Sequence, residues 1–578
     1  MIPGMKHRVH VCPNGLTAVV DREHAHPVLS LQFWVETGSM YEGVWAGAGL
    51  SHLLEHMVFK GTREFNAQQL NEEVAALGGI WNAYTSADST VFHIDGPAEH
   101  WRRFLHLLAE LVFHPALPES EWLPERDVIR REMDMCNDDP QDASYHTLIS
   151  TLYTRHPRRL PVIGERTRFD ALTHADMLAY YHRRYVPGNV FVCLAGDVDE
   201  AEFFQALEEE TQDLPATPVR PEPLQTEPRQ WGPRLRRREF GQPTSTLMLA
   251  WRTPDSNHPD APALALLSSI LGDGRAAWLY KRFHDDGLVH DIATYTLQSH
   301  DSGEGAFIIE ADVERGDRDK VRDAILDYVA HLGDIAADAY ESGRQRVLRQ
   351  HRTQQARIHS SVQKLAARLG SFWRRFRNPG MEEEWAGALQ ATSAEDIRRV
   401  ATGLASMERL TEVSLDPLGS NGAAEEGSGK AQRVAPSVTT LPNGLRLVLK
   451  EDHRVPRATA TLAFGAGCPS ETSENAGINN LLAECMLKGT PTYSADAFAE
   501  AIEGMGGYIN CNAGNNTLTM SAHCPAEDAP AMLALLADAA LHPIFPEDAV
   551  QTANVDLMAE ILETGEAPAP LAFLRVLR

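Results

Sequence analysis

The chain has 578 residues and a formal net charge of −27 at neutral pH. This length is too great for one hydrophobic core and predicts about three or four domains of about 150 residues each. The acidic balance argues against nucleic acid and anionic membranes as partners, because a protein binds both through a net basic face.

The cysteines and the N-terminal residues indicate the cellular compartment in which the protein is expected. The seven cysteines are odd in number, widely spread and without a CxxC pair, which does not predict a disulfide framework. No stretch reaches the roughly 18 apolar residues of a membrane span, and the N-terminal run MIPGMKHRVHVCPNGL has no apolar signal region. We expect a cytoplasmic protein, or a periplasmic one if an export signal preceded Met1.

The first predicted domain, residues 1–215, mixes strands and helices. Residues that alternate between apolar and polar, or are β-branched, predict strands at 16–21, 29–37 and 89–94. Helices are predicted at 67–77, 100–113 and 119–136, and a closing strand at 189–195. This order indicates an α+β fold in which helices cover a sheet.

Two segments of linker composition divide the rest of the chain. Residues 213–232 are rich in proline, and residues 417–436 are rich in glycine, serine and alanine. We therefore predict a second α+β domain at 230–415, a linker at 416–436 and a third domain at 437–578. The second domain opens with a strand at 244–251 and a helix at 261–271, and is expected to be non-catalytic.

An internal repeat relates the first and third domains. Residues 49–62 read GLSHLLEHMVFKGT and residues 477–490, which lie 428 positions later, read GINNLLAECMLKGT. This offset persists over about a hundred residues, which indicates duplicated architecture. The third domain is a degenerate repeat without the counterpart of residues 153–198, so we expect it to be truncated and the chain to be a fragment of a longer protein.

The two histidines of the first copy point to a metal. His52 and His56 are four residues apart, so on a helix both imidazoles project from one face. Catalytic zinc commonly takes three protein ligands and leaves a fourth position to water. The repeat has Asn480 and Glu484 at these places, so the fold itself does not demand the histidines.

Three glutamates complete the predicted site. Glu132, on a later helix with an apolar stripe, is the candidate third ligand, and Glu125, two turns earlier on the same face, suits a role in orienting a ligand. Glu55 lies beside the predicted metal position without ligating it. A carboxylate there can act as the general base that takes a proton from the attacking water.

These residues carry a family resemblance. HLLEH is the inverted zincin motif, and Glu132 follows His56 by 76 residues. Together with the runs GGIWNAYTS and RREM…DDP, the pattern resembles the pitrilysin or insulinase family of zinc metallopeptidases (M16). The resemblance extends over essentially the whole chain and implies sheet-plus-helix sandwich domains of the LuxS/MPP-like type, two per half.

The resemblance also implies the roles of the site residues. It makes His52, His56 and Glu132 the ligands of one Zn²⁺ per chain and Glu55 the base. Asn82 and Ala83 match the edge strand on which the family pairs the substrate backbone, a form of strand addition. An Arg and Tyr pair that helps active members hold substrate belongs to the domain that is missing here.

The function that follows is a zinc-dependent endopeptidase that acts on peptides or unfolded protein segments. One alternative is a non-catalytic subunit of a processing-peptidase-like complex, since some members of the family serve as scaffolds. Another is a peptidase that depends on a partner chain or a homodimer for the second half of its chamber.

Overall fold

The computed structural model describes residues 7–23, 26–297, 305–359, 361–378, 380–418, 437–451, 457–472, 475–503, 505, 507–514 and 516–566. The chain divides into two units, residues 1–425 and 426–578. The predicted linker 416–436 lies, from residue 419 onward, outside the described residues. None of the described helices is both long and apolar enough to cross a membrane.

The first sheet and its helices occupy the N-terminal part of the first unit. Its strands run in the order β1-β2-β6-β3-β5-β4, and all neighbours are antiparallel except β2 and β6. The elements are β1 Arg8–Val11, β2 Thr17–Arg22, β3 Val28–Val35, α1 Leu50–Val58, α2 Ala67–Ala76, β4 Ile80–Thr85, β5 Thr90–Pro97, α3 Trp101–Phe113, α4 Trp122–Asp138, α5 Pro140–Leu152, α6 Arg166–Asp170, α7 His174–Arg184, β6 Val190–Gly196 and α8 Glu200–Glu210.

The second sheet of this unit repeats the same topology. Its order β7-β11-β8-β10-β9 corresponds strand by strand to β2-β6-β3-β5-β4, and its single parallel pair, β7 with β11, corresponds to β2 with β6. The elements are β7 Arg234–Phe240, β8 Ser245–Thr253, α9 Ala261–Gly272, β9 Asp291–Leu297, β10 Gly305–Val313, α10 Arg318–Ala330, α11 Ala337–His359, α12 Val362–Phe376, α13 Met381–Ala391, α14 Ala394–Gly403 and β11 Leu410–Pro417.

Each of these two sheets is covered on one face by a helix from the other half of the unit. Helix α5 packs Leu148 and Leu152 against Met248 and Val413 of the second sheet. Helix α12 in turn covers the first sheet at Trp34, where a Cβ added to Gly370 would lie 2.3 Å from the indole ring. The two sheets therefore exchange helices, and their central strands β3, β6, β8 and β11 are buried on both faces.

The second unit contains a smaller sheet that repeats part of the first. The order β14-β16-β15 corresponds to β3-β5-β4, and a separate hairpin, β12-β13, corresponds to β1-β2. The elements are β12 Ser437–Thr440, β13 Arg446–Leu449, β14 Arg457–Phe464, α15 Ile478–Cys485, α16 Ala495–Glu503, β15 Tyr508–Ala513, β16 Leu518–Pro525, α17 Ala529–Leu541 and α18 Glu547–Glu566.

The predicted α+β class is confirmed. The strands expected at 16–21, 29–37 and 89–94 are present as β2, β3 and β5. The helix expected from residue 119 begins as a single 3-10 turn, Glu119–Glu121, after Pro118, and becomes α-helical only at Trp122. The apolar stripe of α4 is buried at Trp122, Ile129 and Met133.

Candidate metal centre

Helix α1 buries one face and leaves the other for polar chemistry. Its apolar residues follow the helical spacing i, i+3, i+4 and i+7, and all four are fully buried: Leu50, Leu53, Leu54 and Met57. The helix begins after Gly49, whose φ of +71° favours glycine. The side chain of Glu42 accepts a hydrogen bond from the Ser51 N–H at 2.8 Å, which satisfies a donor at the helix start.

His52 and His56 share the opposite face of α1 and meet Glu132 of α4. Their ring centroids are 4.6 Å apart. The Nε2 of His52 lies 3.7 Å from Oε1 of Glu132, and the Nε2 of His56 lies 3.8 Å from Oε2. The two helices thus bring together the three side chains that the sequence predicted as ligands.

The spacing of these atoms fits a metal ion. One atom from each of the three residues lies within 4.8 Å of the other two. Both imidazole–carboxylate distances exceed hydrogen-bond length and are close to the separation of about 3.3–3.6 Å between tetrahedral zinc ligands. Two imidazole nitrogens and a carboxylate oxygen are also a ligand set that zinc accepts.

Electrostatics keep His52 in the state that a metal needs. Burial, together with the nearby His56, lowers the pKa of His52 to about 4, so its imidazole is neutral at neutral pH. Burial also lowers the pKa of His56, but the hydrogen bond and charge of Glu125 outweigh it and raise the pKa overall. Neutral imidazole is the form that binds metal.

Glu125 anchors His56 from behind. Its Oε1 lies 2.7 Å from Nδ1 of His56, and it also forms an ion pair with Lys60. Glu125 is buried, so the pair with Lys60 offsets the cost of placing its charge there. With Nδ1 engaged, the Nε2 of His56 is left to face Glu132, an arrangement that orients metal-binding histidines.

Glu55 is held on the same face by a strand. The Thr85 hydroxyl of β4 donates a 2.5 Å hydrogen bond to Oε2 of Glu55. Burial raises the pKa of Glu55, and the Thr85 hydrogen bond opposes this shift. The carboxylate is therefore fixed beside the cluster with a basicity above that of a free glutamate.

Asn82 and Ala83 lie on β4, which is an edge strand. Among the strands that the structure describes, β4 pairs only with β5, where Asn82 is opposite His93 and Ala83 is opposite Phe92. The side chains of Ala83 and Thr85 share one face of the strand. The unpaired edge of β4 therefore runs next to the residue that holds Glu55.

Sequence reasoning identified the histidines and glutamates but missed Thr85, Lys60 and Glu42. Thr85 had a signal, since it lies two residues after Ala83 in a strand with period two. Lys60 and Glu42 have the same residue at the matching position of the repeat, Lys488 and Glu471. The repeat therefore singles out both positions but does not indicate which residues they contact.

The sequence matches two family models. The model described as "Insulinase (Peptidase family M16)" matches residues 17–166 and again residues 446–577. The model described as "Peptidase M16 inactive domain" matches residues 171–343. Both copies of the internal repeat thus match one model, and among the described residues the cluster of two histidines and a glutamate lies in the first copy.

Several curated relatives resemble this chain over half its length. "Zinc protease PqqE" of Helicobacter pylori is 29% identical over 309 residues, which is 52% of this chain and 69% of the relative. "Uncharacterized zinc protease YmxG" of Bacillus subtilis is 27% identical over 301 residues, 51% of this chain and 71% of the relative.

Solved structures share the fold. A protease from Helicobacter pylori superposes with a TM-score of 0.67 at 24% identity and covers 72% of this chain and all of its own. The periplasmic protease PqqL from Escherichia coli covers 97% of this chain and 69% of its own, with a TM-score of 0.59 at 15% identity. At these identities the likeness concerns the fold alone.

Proposed function

Because this chain belongs to the insulinase family of peptidases (family M16), we propose that it is a zinc-dependent endopeptidase that hydrolyses peptides or unfolded protein segments. The observation that carries the proposal is the convergence of His52, His56 and Glu132 around a position next to Glu55. Relatives named zinc proteases support the choice of metal.

His52, His56 and Glu132 would hold one zinc ion. A zinc ion held there would supply Lewis-acid chemistry that lowers the pKa of a water molecule and polarises a carbonyl group. Glu132 contributes one negative charge, and Glu125 fixes the ring of His56 through its Nδ1. Lys60 forms its ion pair with Glu125 and not with Glu132, so Glu132 stays available for the metal.

Glu55 acts as the general base and then as the general acid. It accepts a proton from the attacking water and passes it to the leaving amine, a step that contributes about 10²–10⁴-fold to the rate. The raised pKa of Glu55, which burial causes, brings its basicity closer to neutral pH. Thr85 holds one oxygen of the carboxylate, so the other is directed to the reacting water.

The edge of β4 aligns the substrate. An extended peptide that adds to this edge forms backbone hydrogen bonds at Asn82 and Ala83 and runs past Glu55. Strand addition requires an unfolded segment, because a folded substrate has its backbone groups already paired. The edge of β4 would therefore favour peptides and unfolded segments over native proteins as substrates.

The test is hydrolysis of a quenched, unstructured peptide of about 10–25 residues by the native chain and by Glu55→Gln. We expect the variant to retain zinc and lose about 10²–10⁴-fold in kcat/KM. Glu72→Gln, at an exposed position of α2, removes the same charge away from the cluster and should leave both properties unchanged.

Two results would overturn the proposal. Equal rates for the native chain and Glu55→Gln would show that the hydrolysis comes from another site or a contaminant. Absence of zinc from the native chain would favour the non-catalytic subunit. If zinc binds and the native chain alone is inactive, activity on mixing with a partner chain would identify a partner-dependent peptidase.

A further inference from the structure

A second cluster of metal-ligating side chains lies on another part of the first unit. It joins His10 of β1, Cys12 in the turn that follows, and Glu208 of α8. The Nε2 of His10 lies 2.8 Å from Oε1 of Glu208. One ligand atom from each residue lies within 4.8 Å of the other two.

We propose that His10, Cys12 and Glu208 form a second, thiolate-containing site for a divalent metal such as Zn²⁺ or Co²⁺. Imidazole, thiolate and carboxylate are all ligands that zinc accepts, and a thiolate favours such ions over Mg²⁺ and Ca²⁺. A cavity of about 460 Å³ adjoins the cluster and leaves room for water as a further ligand.

The turn itself does not require a cysteine at position 12. In the repeat, Thr439 and Leu441 stand at the positions of His10 and Cys12. The turn closes identically in both copies: the Cys12 N–H donates to Leu16 at 2.8 Å, and the Leu441 N–H donates to Leu445 at 2.8 Å. A leucine thus serves this turn as well as a cysteine does.

Contacts and burial order two of the three side chains. The ring of His10 stacks on Phe204 with centroids 4.8 Å apart, which fixes the imidazole while its Nε2 faces Glu208. Cys12 is buried, and metal binding would release the thiol proton to solvent as the metal–sulfur bond forms.

The site would connect two distant parts of the sequence. His10 and Glu208 are 198 residues apart, and they lie on the first strand of the first sheet and on the helix that follows its last strand. A metal there holds the edge strand β1 to α8, so it should stabilise the first sheet in proportion to metal occupancy. The expected role is structural or regulatory, since the site is separate from the His52 cluster.

The test is titration of the chelator-stripped, full-length chain with Co²⁺. A thiolate ligand gives an intense sulfur-to-cobalt charge-transfer band in the near ultraviolet, whereas nitrogen and oxygen ligands give only weak visible bands. We expect this band in the native chain, proton release that accompanies it, and loss of the band in Cys12→Ser. The readout does not require peptidase activity, so it is independent of the proposed function.

Matched variants keep the test decisive. Cys136→Ser controls for the cysteine one turn after Glu132 and should keep the band. His10→Gln and Glu208→Gln retain the thiol. Each should weaken the Co²⁺ affinity, measured from the absorbance of the charge-transfer band, by at least about 10-fold. The proposal fails if the native chain shows no band, if the band survives Cys12→Ser, or if both ligand variants bind with native affinity.

Discussion

Helix α1 and its counterpart α15 begin in the same way and differ on one face. Each follows a glycine with positive φ, +71° at Gly49 and +91° at Gly477. Each is capped from a distance by a glutamate: Glu42 accepts from Ser51 at 2.8 Å, and Glu471 accepts from Asn479 at 3.0 Å.

A comparison of the matching faces of the two helices separates the residues that the fold needs from those that the proposed site needs. The positions of His52, Glu55 and His56 are taken in α15 by Asn480, Ala483 and Glu484. The supporting residues change with them, since Ala513 replaces Thr85 and Ala553 replaces Glu125. The residues that contact Glu55 and His56 thus change together with them, whereas the capping glutamate and the glycine persist.

The largest effect is expected when α1 receives the residue of its copy at a ligand position. His52→Asn removes one of the three proposed zinc ligands and should abolish zinc binding and reduce hydrolysis by at least about 10³-fold, because a bound metal would supply several kcal/mol of transition-state stabilisation. Zinc analysis and peptide hydrolysis measure both losses. In chelator, native and variant chains should unfold at the same temperature; a large drop would mean that the fold does need His52.

Glu125→Ala should have the next largest effect. It removes the partner of His56 Nδ1 and leaves Lys60 unpaired beside the ring. Loss of such a partner typically weakens metal binding 10–100-fold, which competition with a chromophoric chelator measures. Unchanged zinc affinity would contradict the assigned role, and Glu121→Ala, at a non-buried position just before α4, is the control.

Thr85→Ala, which copies Ala513, should act on the base and not on the metal. Loss of the 2.5 Å hydrogen bond to Glu55 should lower kcat about 10-fold, with zinc content and KM close to native. Thr85→Ser keeps a hydroxyl and should restore most of the rate. An equal loss in Thr85→Ser would point to packing of β4 as the cause.

The smallest effect on activity is expected from Gly370→Ala, which tests the covered back face of the first sheet. Trp34 on this face corresponds to Ala463 in the repeat, so the repeat needs no space for an indole at this position. The new methyl group would collide with Trp34 and should lower the free energy of unfolding by about 1–3 kcal/mol.

Denaturant unfolding measures this change, and Gly387→Ala supplies the control. Gly387 lies exposed in α13 with no atom near a new Cβ, so alanine there should stabilise the chain by about 0.5–1 kcal/mol. Equal changes in the free energy of unfolding for the two substitutions would show that α12 does not pack closely against Trp34.

The sequence predicted those parts of the molecule that depend on local order or on the repeat. Periodicity located the main strands and helices, and spacing together with family resemblance selected Glu132 as the third ligand. The contact of Thr85 with Glu55 was not predictable in this way, because strand period gives the face of a residue and not its partner. The cluster of His10, Cys12 and Glu208 was missed for the same reason.

The exchange of helices between the two sheets could not be predicted from the sequence patterns either. The apolar residues of α5 and α12 indicate that each helix has a buried side, but they do not specify which sheet it covers. Leu148 contacts a strand about 100 residues away, and Leu369 meets Trp34 across more than 300. Only tertiary packing decides such pairings.

This exchange also governs how the protein can fold while it is being synthesised. The first sheet is complete once β6 ends at Gly196, yet its cover α12 begins at Val362. At about 5–20 residues per second, a ribosome needs about 10–30 s to cross that interval. During this time the face that carries Trp34 stays open to chaperones and to other nascent chains, and proteolysis of ribosome-stalled chains that end before or after residue 376 should reveal when it closes.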